Sequence, residues 1–170
     1  MLIGKNINLR RIEKVDLWQI WKWHEEDELY LFRKLKPFIT WDELNEGFFK
    51  FFGWQGDFLI EDKRGKALGV SSYQNIYWKN RSCELALKVC ESDQAFAFDA
   101  ITILLSFLFD ELNLARVNSF IPDFSTFEIQ ALEKADFVLE GKLREAVFLD
   151  EKYHDILVYA ILKGEFQRGT

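Results

Sequence analysis

The stretch SCELALKVCESDQAFAFDAITILLSFLFDEL, residues 82–112, changes its hydrophobic period partway along. Over Ser82–Cys90 the residues alternate. Cys83, Leu85, Leu87 and Val89 share one face, and Ser82, Glu84, Ala86 and Lys88 share the other, which is the pattern of a half-buried strand. From Ala95 to Leu112 the apolar positions Ile101, Leu104, Leu105, Leu108 and Leu112 fall on a helical stripe. Asn113 marks a stop, and Ala115–Ile121 then reads as a second strand closed by Pro122. A strand–helix–strand unit of this length is a crossover. It predicts two parallel neighbouring strands at the centre of the molecule.

Upstream, Asp57–Glu61, Leu68–Trp78 and Ser82–Cys90 read as three strands joined by the turns Asp62-Lys63-Arg64-Gly65 and Lys79-Asn80-Arg81. They predict an antiparallel meander. Before them, Ile7–Ile12 reads as a strand and Val15–Glu26 as a helix. After Lys36-Pro37, Thr40 with Glu43 forms a capping box that opens a second helix running through Phe52 to Gly53. Downstream, Phe127–Ala135 is helical, and Phe137–Leu149 with Tyr153–Leu162 predicts a closing hairpin around Asp150-Glu151-Lys152. The expected order is β-α-α-β-β-β-α-β-α-β-β. That is a mixed α/β fold with a seven-stranded, mostly antiparallel sheet, a central parallel pair and helices on both faces. No repeat, linker or low-complexity segment interrupts residues 1–170, so one domain is expected.

Of the 170 residues, 49% are hydrophobic and 29% charged, which excludes a disordered chain. The net charge of −6 leaves no electrostatic footprint for nucleic acid. Aromatic residues reach 16%, with 17 Phe and 6 Trp, and most are expected in the core. Cys83 and Cys90 lie on opposite faces of one strand, so no disulfide is expected between them. Neither has the company that a metal site needs. We expect a cytoplasmic protein without a signal, a membrane span or a metal.

Between the strand and the long helix sits Ser92-Asp93-Gln94-Ala95-Phe96-Ala97. A helix start with close backbone access is a phosphate site, and glycine usually provides that access. This loop has none; no glycine occurs between Val70 and Glu140. Two readings stand. Alanines at small-residue positions keep the N–H groups accessible with Asp93 turned outward, or Asp93 caps an ordinary helix.

Several segments in order resemble the GNAT superfamily of acyl-CoA-dependent N-acetyltransferases, and within it the branch that acetylates N-terminal amines of ribosomal proteins. Leu2-Ile3-Gly4-Lys5-Asn6-Ile7-Asn8-Leu9-Arg10 is similar to the family's first strand, and Leu68-Gly69-Val70 with Asn80-Arg81-Ser82-Cys83-Glu84-Leu85-Ala86-Leu87 to its central meander. Residues 107–117, FLFDELNLARV, resemble "F-x-x-L-x-L-x-R-V". Residues 132–145, LEKADFVLEGKLRE, resemble "L-E-K-x-G-F-x-x-E-G-x-L-R-E", with Tyr153-His154-Asp155 following as "Y-x-D". The resemblance covers nearly the whole chain.

The resemblance implies acetyl-CoA as co-substrate and a primary amine as acceptor: a peptide N-terminus, an amino sugar or another small amine. The donor's diphosphate is expected at Ser92, Asp93, Gln94, Ala95, Phe96 and Ala97, a degenerate form of the family's "R/Q-x-x-G-x-G/A". Ser92 replaces the basic or amide residue and Ala95 the first glycine. The pantetheine arm is expected along Leu87-Lys88-Val89, with the Val89 N–H facing the thioester carbonyl. Ser125 matches the family's capping Asn, and Asp136 stands where the family has glycine. Leu132 stands where a proton-donating Tyr is common. Glu84 is the candidate general base, or else a cross-strand partner of a cation such as Lys66. Tyr73 is a second catalytic candidate, with Tyr77 beside it on the same strand. His24, Glu25 and Trp78 are candidates on the acceptor side. His24 has the ordinary reading of a surface residue, and the run Glu25, Glu26, Asp27 and Glu28 that of a solvated helix end. Phe48, Phe49, Phe51, Phe52 and Trp54 exceed one helical face, so some of them are expected to cover a pocket, a homodimer contact or bound apolar material. An enzyme and a GNAT-like binding module without a donor site remain the two functional expectations.

Overall fold

The computed structural model of the protein describes residues 1–25, 40–47, 56–90, 94–149 and 151–167. Eight strands form one sheet: β1 (Leu2–Ile3), β2 (Ile7–Arg11), β3 (Asp57–Asp62), β4 (Ala67–Tyr77), β5 (Ser82–Val89), β6 (Arg116–Pro122), β7 (Val138–Leu149) and β8 (Lys152–Leu162). Their order across the sheet is β1-β2-β3-β4-β5-β6-β8-β7. Only β5 and β6 are parallel. The crossover and the meander are where the period change puts them. The eighth strand is β1, whose two residues are too few to show alternation.

Four described helices cover the sheet: α1 (Leu17–Glu25), α2 (Trp41–Glu46), α3 (Gln94–Ser106) and α4 (Thr126–Lys134). Cys83, Leu85 and Leu87 of β5 pack in one core with Ile101, Leu104 and Leu105 of α3 and Ala131 and Leu132 of α4. On the opposite face Leu59 of β3 and Val70 of β4 pack with Leu17, Ile20 and Trp23 of α1 and Leu44 of α2. Helices therefore lie on both faces, in pairs.

Local chemistry explains the boundaries. A 3₁₀ turn, Lys14–Asp16, precedes α1, so that helix begins two residues later than its apolar pattern. The capping box of α2 is present: the Glu43 N–H donates to Thr40 Oγ1 at 3.2 Å and the Thr40 N–H to Glu43 Oε2 at 2.9 Å. The expected continuation through Phe48, Phe49 and Phe52 to Gly53 lies outside the described residues, as do Phe51, Trp54 and Asp150. Helix α3 widens into a π turn over Phe107–Glu111, where the Leu112 N–H reaches back to the Phe107 carbonyl at 3.2 Å. Asn113 stops it at φ 52°, held by Arg81, whose Nε donates to the Asn113 carbonyl at 2.8 Å.

Most of the described aromatic residues lie in or against the two cores, as expected, but not all. Phe109, Phe137, Tyr73, Tyr159 and Trp23 are buried, but Trp18, Tyr77, Trp78, Phe148 and Tyr153 are all more than half exposed. The reason is topological. Hairpin β7–β8 carries Phe148 and Tyr153 at the sheet edge, where no further strand covers them.

Candidate active site

Strands β5 and β6 run together for three residue pairs only: Ser82 with Arg116, Cys83 with Val117 and Glu84 with Asn118. Beyond that each strand keeps its outer neighbour. β5 stays on β4 as far as Val89 opposite Gly69, and β6 stays on β8 as far as Pro122 opposite Ile156. The two inner edges part, leaving a gap in the middle of the sheet. The Asn118 side-chain amide donates to the Cys83 carbonyl at 3.3 Å and closes the narrow end.

The Cys90 N–H donates to the Leu68 carbonyl at 2.8 Å. By antiparallel alternation Lys88 and Ala86 also turn their N–H groups toward β4, which leaves Leu87 and Val89 turned toward the gap. A Cβ on Gly69 would stand 2.2 Å from the Lys88 carbonyl oxygen, so glycine is what lets β4 hold this end of β5 so closely. A pantetheine arm, with its two amides, suits an unpaired strand edge of this kind.

At the wide end stands the start of α3. Ser92 and Asp93 lie outside the described residues, and Gln94 opens the helix. Ala95 is exposed and Ala97 buried. The Phe96 and Phe98 rings pack against the core shared by α3 and the sheet, with Lys134 Nζ 4.6 Å above the Phe98 ring.

Glu84 and Tyr73 do not meet. Tyr73 is the cross-strand partner of Leu85 and shares its face, in the α3 core. It is 6% exposed, its ring lies 6.2 Å from that of Phe58 and 5.9 Å from that of Phe107, and burial raises its hydroxyl pKa. Glu84 is the partner of Gln74 on the other face, the one covered by α1 and α2. It is half-buried and has no ion-pair partner among the described residues, Lys66 included. His24 and Glu25 end α1 on that same side of the sheet. Trp78, 63% exposed, lies in the turn that leads into β5, where its carbonyl accepts the Arg81 N–H.

Ser125 occupies the N-cap position of α4 but makes no side-chain capping bond. Leu132 is 1% exposed in the core. Among the described residues no three His, Cys, Asp or Glu side chains stand together as metal ligands, and no helix is long and apolar enough to cross a membrane. Cys83 and Cys90 form no disulfide and sit in different packing clusters, and burial pushes the Cys83 thiol up to about 12.

Three residues at the gap escape a reading of the sequence alone. Asn118 and Gly69 act through strand register, which the sequence does not display. Glu128 left a signal: it precedes Leu132 by one helical turn on the inward stripe of α4, where a carboxylate is out of place. It is 2% exposed and faces Lys88 of β5.

No family model matches the chain. Two relatives match almost end to end. The spermidine N(1)-acetyltransferase of Vibrio cholerae is 24% identical over 168 residues, covering 96% of this chain and 97% of that protein. A prophage-derived uncharacterized N-acetyltransferase of Bacillus subtilis, YokL, is 27% identical over 173 residues, covering 96% and 94%. In three dimensions, the crystal structure of the Vibrio cholerae spermidine N-acetyltransferase in complex with CoA and spermine matches with a TM-score of 0.82 at 24% identity, over 94% of this chain and 97% of that one. The fold is the GNAT fold.

Proposed function

We propose that this GNAT-type N-acetyltransferase moves the acetyl group of acetyl-CoA onto a primary amine of a small polyamine-like cation by direct attack. The observation that carries the reading is the unpaired inner edge of β5, with Leu87 and Val89 turned into a gap that opens toward the start of α3. The donor's arm lies along Leu87, Lys88 and Val89, and its diphosphate at residues 92–97, the degenerate loop. The Val89 N–H polarises the thioester carbonyl. Glu84, on the acceptor face, takes the proton that the amine loses as its nitrogen bonds to the acetyl carbon. The carbon–sulfur bond then breaks, and water supplies the proton to the leaving thiolate, because Leu132 has none to give. Ser125 flanks the arm at the start of α4, and His24, Glu25 and Trp78 flank the acceptor.

A cationic acceptor agrees with the net charge of −6 and with the spermidine that the Vibrio relative acetylates. Tyr73 is left as a core ring rather than an acid or base, since it faces away from Glu84. Cytoplasmic placement belongs to the same proposal. So does a homodimer through the edge strand β7, where Val138, Leu139 and Leu143 are about half exposed.

Isothermal titration with CoA and acetyl-CoA, followed by an acetylation assay on spermidine, spermine and a peptide N-terminus, tests the reading. Micromolar donor binding and turnover of the polyamines support it. Turnover of the peptide alone would move the acceptor to the ribosomal-protein branch. Silence at millimolar CoA would leave a binding module in place of the enzyme. Asp93→Gly is expected to tighten CoA, since it removes a charge repelling the diphosphate and adds backbone freedom.

A further inference from the structure

The Lys88–Glu128 ion pair joins a strand residue whose place in the alternation is one face of the sheet with a helix that lies on the other. Lys88 is the cross-strand partner of Val70, which packs under α1 and α2. Glu128 belongs to α4, which shares its core with α3 on the other side. Lys88 Nζ nevertheless stands 3.4 Å from Glu128 Oε1. A side chain on one face reaches a helix on the other only around an open strand edge. β5 has such an edge at Lys88, because its pairing with β6 ended at Glu84. The Lys88 side chain thus threads the gap, across the route of the donor's arm.

The pair is poorly settled on the carboxylate side. Glu128 is 2% exposed, and the oxygen facing Lys88 accepts no hydrogen bond, so a buried carboxylate is held by charge alone. Such a carboxylate keeps its partner only while nothing better competes for the cation. A donor diphosphate is a stronger partner than one carboxylate, and it is expected within a few residues of Lys88, beside a loop that has no basic side chain of its own from Cys90 to Ala100.

We infer that Lys88 and Glu128 form a latch across the donor slot, and that Lys88 exchanges Glu128 for the donor's diphosphate when acyl-CoA enters. Lys88 is then a donor-binding residue through its ammonium as well as its backbone, and Glu128 holds it in place in the empty protein. The inference rests on the acyl-CoA reading above.

Calorimetry on the full chain, with CoA and with phosphate-free pantetheine as probes, tests it. Glu128→Gln keeps the shape of the side chain and removes its charge; it is expected to tighten CoA roughly threefold to tenfold. Lys88→Met is expected to weaken CoA roughly tenfold, the loss of a charge-assisted contact, with pantetheine no weaker than in the unsubstituted protein. In the Lys88→Met background the gain from Glu128→Gln should vanish. An equal gain there would mean that the carboxylate only repels an anionic donor, and the latch is overturned. Unchanged CoA affinity in both single variants overturns it as well, while leaving the acyl-CoA reading intact. No CoA binding by the parent or by any variant brings down that reading, and the latch with it.

Discussion

The Asn118 side chain donates to the Cys83 carbonyl at 3.3 Å, and beyond that contact β5 and β6 share no pair. Asn118 also accepts from Arg116 Nε at 2.7 Å, so its amide is fixed at both ends. Asn118→Ala removes this closure and leaves the Cys83 carbonyl short of a donor. A loss of about 1–2 kcal/mol in unfolding free energy is expected by urea denaturation. CoA affinity measured on the same preparation should fall too, because the gap loses its fixed apex. A stability loss with unchanged affinity would separate the gap from donor binding.

Glu84 lies on the face covered by α1 and α2 and has no ion-pair partner among the described residues. Glu84→Gln preserves the shape and the hydrogen-bonding capacity and removes the proton acceptor. The acetylation rate should fall about a hundredfold, most steeply toward low pH, where more of the amine must shed a proton. The fold should be unaffected, as read by its thermal midpoint. A pH–rate profile parallel to that of the parent removes Glu84 from the role of base.

The fold was legible where one face of an element is buried. The alternation of Cys83, Leu85, Leu87 and Val89 and the stripe of Ile101, Leu104 and Leu108 place β5 and α3 to within a residue or two, because burial enforces those periods. β1 was illegible because two residues carry no period. The site was legible only in part. Glu84 and Lys88 can be assigned to one face from the sequence, but Tyr73 cannot be set apart from Glu84 without the register of β4 on β5. The Lys88–Glu128 contact depends on where β5 and β6 separate, and their outer neighbours decide that.

Cys83 and Tyr159, both buried, contribute to the response to alkali. Burial first, then the charge of Glu84, raises the Cys83 thiol from 9.0 to about 12. Burial, then the 2.8 Å bond from its hydroxyl to Glu133, raises Tyr159 from 10.0 to about 12. Both pKa values are higher in the folded state than in the unfolded one. Their stabilising effect is therefore complete below the unfolded values and is lost as the pH rises through the folded ones. Urea melts at increasing pH should show stability falling from about 9 toward 12. Cys83→Ala and Tyr159→Phe should each flatten that slope, and an unchanged slope in both assigns the effect elsewhere.

Arg10 holds the entry to α1. Its guanidinium donates to Asp16 through two nitrogens at 2.7 Å each and to Glu61 through Nε at 2.7 Å, while Asp16 accepts the Glu13 N–H at 2.8 Å. Asp16 is 8% exposed, so removing its partner strands a nearly buried carboxylate. Arg10→Met should cost about 2–3 kcal/mol by urea denaturation. Arg10→Lys should recover little of it, since an ammonium cannot span both carboxylates in the guanidinium's fork geometry.

Asp136 closes α4 in the left-handed region, at φ 63°, with its N–H donating to the Glu133 carbonyl at 3.1 Å. The Phe137 N–H returns to the Leu132 carbonyl at 3.0 Å, a helix end of the kind that glycine favours. A Cβ is disfavoured at such a φ, and Asp tolerates it better than most residues because its short side chain bonds locally. Asp136→Gly removes the steric cost but widens the unfolded ensemble, and the two effects oppose each other. The steric gain should be the larger, by about 0.5–1 kcal/mol, because φ at this position is fixed by two backbone bonds rather than by the side chain. Asp136→Ala keeps the Cβ without aspartate's better tolerance of this region, so it should destabilise. If the glycine variant melts no higher than the parent and the alanine variant no lower, the conformation at this helix end is not what limits stability there.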